Sequence, residues 1–300
     1  MVFVATLISA PAASALDEPV VALARASLPA ASEAQWLDPG IAVDIPFAAH
    51  EAIDIRDLSK TLLAVLAPRP VDVIVQAAEG RRKRLFIADM DSTMIGQECI
   101  DEMADFVGKK AFVAAITERA MRGEIEFEPA LIERVALLKG LPVSVIDEVI
   151  QSRITLTPGG RTLVATMRAH GAHTCLVSGG FTQFTAKLAA MIGFDENRGN
   201  RLLVGTDGRL AGRVAEPILG REAKLNTVIE LRSRLGLARQ DTLVVGDGAN
   251  DLAMIQEAGL GIAYHAKPKV AVAAAARINH GDLTALLYAQ GYRRDEFVEK

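Results

Sequence analysis

With 300 residues, 50% of them apolar, the chain exceeds the usual size of one domain and can fill a hydrophobic core in each of two. A formal net charge of -4 excludes a broad basic surface for nucleic acid or an anionic membrane, and the Ala-rich run at 270–276 is too short to span a bilayer. Two cysteines, Cys99 and Cys175, lie far apart within apolar or helical patterns, which excludes a disulfide framework and suits a reducing, cytoplasmic setting.

Residues 1–16 are apolar and close with Ala-Ala-Ser-Ala, as a secretion signal does, but no Lys or Arg precedes the run. Residues 2–8 therefore read as a strand. To about residue 80 the pattern is strand, helix, strand, helix, strand, at 2–8, 19–26, 40–45, 55–66 and 71–75. No clustered catalytic set falls there. The basic run Arg81-Arg82-Lys83-Arg84 reads as a solvated linker ahead of the next strand.

Leu85-Phe86-Ile87-Ala88 is a short apolar run of the buried-strand type that ends abruptly in Asp89-Met90-Asp91-Ser92-Thr93. Chemistry at the C-terminal end of a strand is what a parallel sheet offers. From residue 96 to about 156 the period is helical, with Ile100, Met103 and Val107 on one face and Leu131, Val135 and Leu138 on another. This spacing places a helical insertion over the sheet. Thr157-Pro158 offers an N-cap and a proline at the first helical position for a helix that ends near His170-Gly171. A strand at 173–177 follows, then Ser178-Gly179-Gly180, with a helical pattern starting at Phe181. Apolar runs at 202–204 and 210–214 flank Gly205-Thr206-Asp207-Gly208 and predict a hairpin. A helix at 221–235, a strand at 242–245, then Gly246-Asp247-Gly248 and further short strands and helices complete a parallel sheet covered on both faces.

Four places carry chemistry. Asp89 and Asp91, one residue apart in an extended segment, point to the same side, which is tolerable beside a hard cation such as Mg²⁺. One carboxylate could then attack phosphorus while the other, protonated, donates to the leaving alkoxide. Ser178-Gly179-Gly180 lets backbone and hydroxyl approach an anion. Lys224 supplies a point charge for phosphate oxygens. Gly246-Asp247-Gly248-Ala249-Asn250-Asp251 has the acids to complete an oxygen shell; it is no dinucleotide fingerprint, since the third glycine position holds Asp251. Read singly, these are equally a solvated acidic turn, a glycine turn and a surface lysine. The five histidines are scattered without metal-ligand spacing, and neither Ser92 nor Ser178 has the His-and-acid pattern of a serine hydrolase.

The order of the four motifs resembles the haloacid dehalogenase-like phosphotransferase family over about residues 85–280. The resemblance implies an α/β, Rossmann-like doubly wound parallel sheet in a domain at 81–300 with a helical cap inserted at about 97–156. It further implies Asp89 as nucleophile and Asp91 as proton donor and acceptor, with Ser178, Gly179, Lys224 and Asn250 holding the phosphate. Mg²⁺ would lie on Asp89, the backbone carbonyl of Asp91 and Asp247, with Asp251 in support. Residues 1–80 resemble a small α+β domain of the ACT or ferredoxin-like kind, which implies an amino-acid effector or a second copy in a homodimer as its partner.

Asp-Met-Asp-Ser-Thr-Met-Ile and Glu98-Cys99-Ile100-Asp101-Glu102 resemble more narrowly the branch of that family that hydrolyses phosphoserine. That substrate carries an ammonium and a carboxylate besides its phosphate. The resemblance assigns them to Glu98 and Arg134, with Met121 and Phe127 lining the pocket; periodicity alone would leave both charges exposed on helices. Two alternatives stay open: another small phosphomonoester as substrate, or an amino-acid-sensing module whose catalytic domain is idle.

Overall fold

The computed structural model describes residues 1–50 and 52–299. In chain order the elements are β1 (Val2–Ser9), α1 (Glu18–Ala26), β2 (Gln35–Asp38), β3 (Ala42–Ala48), α2 (Ile55–Leu66), β4 (Val71–Ala77), β5 (Leu85–Ala88), α3 (Cys99–Asp105), α4 (Lys110–Met121), α5 (Phe127–Ala136), α6 (Val145–Ser152) and α7 (Gly160–Ala169). There follow β6 (His173–Phe181), α8 (Thr182–Ile192), β7 (Glu196–Asn200), β8 (Leu202–Val204), β9 (Leu210–Val214), α9 (Arg221–Arg234), β10 (Thr242–Gly246), α10 (Leu252–Glu257), β11 (Leu260–Tyr264), α11 (Pro268–Ala273), β12 (Ala276–Ile278) and α12 (Ala285–Ala289). They divide into two compact units: Met1–Arg84 with Pro158–Ala172 and Ala275–Lys300, and Leu85–Thr157 with His173–Ala274.

The first unit is built on an antiparallel sheet in the order β2-β3-β1-β4, the β-α-β-β-α-β pattern of ferredoxin-like domains. Alternation in β1 sends Phe3, Ala5 and Leu7 to one face, where they pack with Val20 and Val21 of α1 and Leu62 and Leu66 of α2. The opposite face is closed by the chain's own C-terminal segment. Asp72 accepts from the backbone N–H groups of Asn279, His280 and Gly281 at 2.7, 3.0 and 2.8 Å, and Gln76 donates to the carbonyl of Ala289 at 2.6 Å.

Here three local expectations change. Strand β2 has no counterpart in the sequence pattern, because it is short and its register shifts between Trp36 and Asp38. The basic run is not a solvated linker: Arg81 pairs with Asp44 at 2.6 Å and donates to Thr6 at 3.0 Å, while Lys83 is buried. Helix α7 is capped not by Thr157 but by Gly159, whose φ of +79° favours glycine and whose missing Cβ leaves room for the backbone of Thr284.

In the second unit a parallel sheet runs β11-β10-β5-β6-β7. One face packs Leu85, Ile87, Val177 and Val244 against Val228 and Leu231 of α9 and Met254 and Ile255 of α10. After β5 the chain moves to β6 on one side and later to β10 on the other. That reversal opens a crevice at the strands' C-terminal ends, where Asp89, Ser178 and Asp247 emerge.

The insertion expected at about 97–156 is helical and consists of α3 to α6. Its neck is closed by pairing of Ile95 with Leu156, and hairpin β8–β9 joins it through bonds from Gly140 to Leu210 and from Val143 to Gly208. Strand β6 does not stop at Val177. It continues through both glycines to Phe181, which pairs with Asn200, so α8 begins one residue later than the helical pattern suggests. Among the described residues no helix is long and apolar enough to cross a membrane.

Candidate active site

Four fully buried residues in β5 fix where the next side chain starts, and that residue is Asp89. Its N–H donates to the carbonyl of Val245 at 3.0 Å, extending the β5–β10 ladder by one residue. The tight turn Met90–Met94 follows, in which Asp91 is extended and Ser92 has a φ of +54°. Both acids consequently line one cavity, as their spacing predicts.

Each carboxylate is held by different partners. Oδ1 of Asp89 accepts from Lys224 Nζ at 2.6 Å and from the N–H of Met90 at 2.8 Å. Asp91 accepts from the N–H of Cys99 at 2.9 Å on Oδ1 and from the Ser178 hydroxyl at 3.0 Å on Oδ2. Ser178 in turn accepts from the N–H of Gly180 at 2.8 Å. Both glycines leave room for neighbouring side chains: a Cβ on Gly180 would lie 2.9 Å from Asp91 Oδ2, and one on Gly179 would lie 2.6 Å from the ring of Phe127, so either substitution would displace a lining residue.

Beneath this pair lies a carboxylate cluster. Asp89, Asp247 and Asp251 each present an oxygen, all within 4.8 Å of one another. Lys224 bonds Asp251 at 2.7 Å, and Thr93 donates to Asp247 at 3.2 Å. Burial, reinforced by Asp251, pushes the Asp247 carboxyl up to about 7. Burial followed by Asp251 also holds Asp89 well above the usual carboxylate range, against the pull of Lys224. Lys224 itself is raised, because Asp251 and Asp89 together outweigh the burial that would lower it. Three carboxyls crowded about one lysine in a dry site are held partly protonated, and oxygen donors so clustered fit a hard divalent cation that would draw them into their ionised form. Among the described residues the buried Oδ1 of Asn250 has no hydrogen-bond partner, which adds an uncommitted oxygen to the site.

The wall opposite comes from the inserted helices. Glu98, Met121, Phe127 and Arg134 line the same cavity as Asp89, Asp91, Ser178, Gly179 and Asn250. Glu98 accepts from the Ser92 hydroxyl at 2.7 Å, and burial followed by the charge of Asp91 raises its carboxyl well above the usual range. Arg134 is 2% exposed. Neither is a solvated helix charge. The residues expected at the site come together, with Lys224, Asp247 and Asp251 buried behind the lining.

Sequence reasoning missed several contributors. Thr93 and Ser92 stood inside the acid motif without an assignment, although hydroxyls next to a carboxylate pair were the available signal. Cys99 contributes its backbone N–H, which leaves no trace in residue type. Ile100 and Leu131 complete the lining and read only as helix core.

A family model for haloacid dehalogenase-like hydrolases matches residues 86–256. The chain is 47% identical over 209 residues to the phosphoserine phosphatase of Polaromonas sp., covering 68% of this chain and 88% of that one. Its fold matches a HAD family hydrolase of Salmonella enterica serovar Typhi with a TM-score of 0.83 at 28% identity, over 96% of this chain and 98% of that one. A substrate-bound phosphoserine phosphatase complex matches 68% of this chain and 97% of its own, at 38% identity and a TM-score of 0.65.

Proposed function

The chain belongs to the haloacid dehalogenase-like hydrolase family, and on that premise we propose that it hydrolyses O-phosphoserine to serine and phosphate through Asp89. The observation that carries the substrate is the pair of opposite charges, half-buried Glu98 and buried Arg134, lining one cavity with the acid pair. Phosphoserine offers an ammonium to the first and a carboxylate to the second. A substrate without that head group would leave both charges buried and unpaired, at a cost of about 1–3 kcal/mol each.

In this reading an Asp89 oxygen attacks phosphorus in line, forming the acyl phosphate as the bond to the serine oxygen breaks. Oδ1 of Asp89 takes the bonds from Lys224 and Met90, which orients Oδ2 for the attack. Asp91 gives its proton to the departing serine oxygen; its carboxyl is raised by burial, despite opposing bonds from Cys99 and Ser178, and so retains that proton nearer neutrality. Asp91, now ionised, takes a proton from water, whose oxygen displaces Asp89 from phosphorus and releases phosphate. Ser178, the N–H of Gly179, Lys224 and Asn250 would hold the phosphate oxygens. Asp89, the Asp91 carbonyl and Asp247, with Asp251 in support, would hold Mg²⁺, which supplies positive charge to balance those oxygens.

The test is phosphate release with Mg²⁺ from phosphoserine against p-nitrophenyl phosphate. A clear preference for phosphoserine that disappears in Arg134→Ala is the expected result. Equal efficiency on both substrates would sink the assignment.

A further inference from the structure

Arg134 is buried, yet among the described residues no carboxylate forms a direct ion pair with it. Its Nε donates to the carbonyl of Ala130 at 2.9 Å, one turn back on α5. Its Nη1 donates to the Thr117 hydroxyl at 2.8 Å. Of the five N–H donors of a guanidinium about three then remain, all at the Nη1–Nη2 end of the fork, the edge that grips a carboxylate bidentately.

Thr117 has one hydroxyl proton, and Asp101 Oδ1 accepts it at 2.6 Å, with the carbonyl of Val113 at 3.0 Å as the alternative. A hydroxyl that gives its proton to Asp101 turns its lone pairs toward Arg134. Asp101 stands three residues after Glu98 at the start of α3, with its N–H bonded to the Glu98 carbonyl at 3.1 Å, so the two acids share one helix face. The element that carries Glu98 therefore also sets Arg134.

We propose that Thr117 and Asp101 are positioning residues for the substrate carboxylate, Thr117 fixing the guanidinium of Arg134 and Asp101 fixing Thr117. The chain from Asp101 through Thr117 to Arg134 holds the carboxylate grip at a set distance from Glu98. The two charges that would meet an ammonium and a carboxylate on a single carbon thus line one cavity. The inference rests on the phosphoserine reading above, and deepens it by naming what tunes selectivity for the α-amino-acid head group.

The experiment measures kcat and KM of the Mg²⁺-loaded full chain on phosphoserine and on p-nitrophenyl phosphate, which has neither head-group charge. Thr117→Val raises KM for phosphoserine about tenfold, the worth of one hydrogen bond to a charged group, with kcat and the p-nitrophenyl phosphate rates little changed. Thr117→Ser restores the KM. Asp101→Ala raises KM in the wild-type background and adds nothing in Thr117→Val, and Thr117→Val adds nothing in Arg134→Ala. Where the valine variant does not fold, Thr117→Ala removes the same hydroxyl without placing a methyl in its stead.

An unchanged KM in a folded variant without the hydroxyl overturns the proposal. So does an equal loss on both substrates, or a full additional loss in the Arg134→Ala background. A wild-type enzyme with no preference for phosphoserine refutes the substrate assignment itself. A wild-type preference left undiminished by removal of Thr117 refutes the positioning network alone.

Discussion

Each unit of this protein buries a cation against acids, and the two clusters are built differently. In the first, Arg81 meets the single carboxylate of Asp44, and its remaining contacts are neutral: the Thr6 hydroxyl and the carbonyls of Tyr288 and Ala289. In the second, Lys224 is shared by Asp89 and Asp251, with Asp247 close by. Charge cancels in the first and does not in the second. A balanced pair joins segments distant in sequence; a crowd of buried carboxyls holds free energy that a bound cation can release.

The sharpest way to break this contrast is Asp89→Asn. Turnover of phosphoserine should fall by at least about 10³-fold, while the melting temperature holds or rises, because one of three crowded acids has lost its charge. Retained turnover, or a melting temperature lowered as by a core deletion, would place Asp89 with Asp44 as a structural acid.

Arg81→Ala should do the reverse. Removing one partner of a buried pair costs about 3–5 kcal/mol, read by denaturant unfolding, while kcat of the folded protein stays unchanged. A large loss of kcat with no loss of stability contradicts the assignment.

The crowding of carboxyls also predicts a metal effect independent of turnover. Chelation should abolish activity reversibly, and Mg²⁺ at about 100 times its Kd should stabilise the metal-free protein by about 2.7 kcal/mol. Asp247→Asn should remove that stabilisation. If Mg²⁺ leaves the unfolding curve of the wild type unmoved, the carboxylate cluster has been misread.

Smaller again is the effect of the head-group charge. Arg134→Ala should lower kcat/KM for phosphoserine roughly 10–100-fold and leave p-nitrophenyl phosphate nearly unaffected.

The smallest effect concerns Asp101, whose carboxyl is pushed up to about 6, chiefly by burial, against the pull of its Thr117 bond and of Arg134. Its folded value lies above the unfolded value near 3.8, so between those pH values the folded state binds more protons and stability falls as pH rises. Asp101→Asn should remove about 1 kcal/mol of that fall, discounted for the group's partial exposure. Identical slopes for variant and wild type between pH 4 and 6 would show that Asp101 is not buried enough to matter.

What the sequence by itself determined is local. An apolar run followed by acid or glycine-acid letters marks the end of a buried strand and places Asp89 and Asp247 at one edge of a parallel sheet, with Ser178 beside them although β6 runs on past it to Phe181. Helical period placed the insertion in the same way. Tertiary structure alone decided which charges leave water. Glu98 and Arg134 have the spacing of exposed helix residues, and Arg81 stands in a run that reads as solvated; Arg134 is buried and the other two half-buried, each held by partners from other elements. Asp44 lies 37 residues from Arg81, and Asp89 lies 135 from Lys224. Burial of a charge is a property of what packs against it, and periodicity reports only which residues share a face.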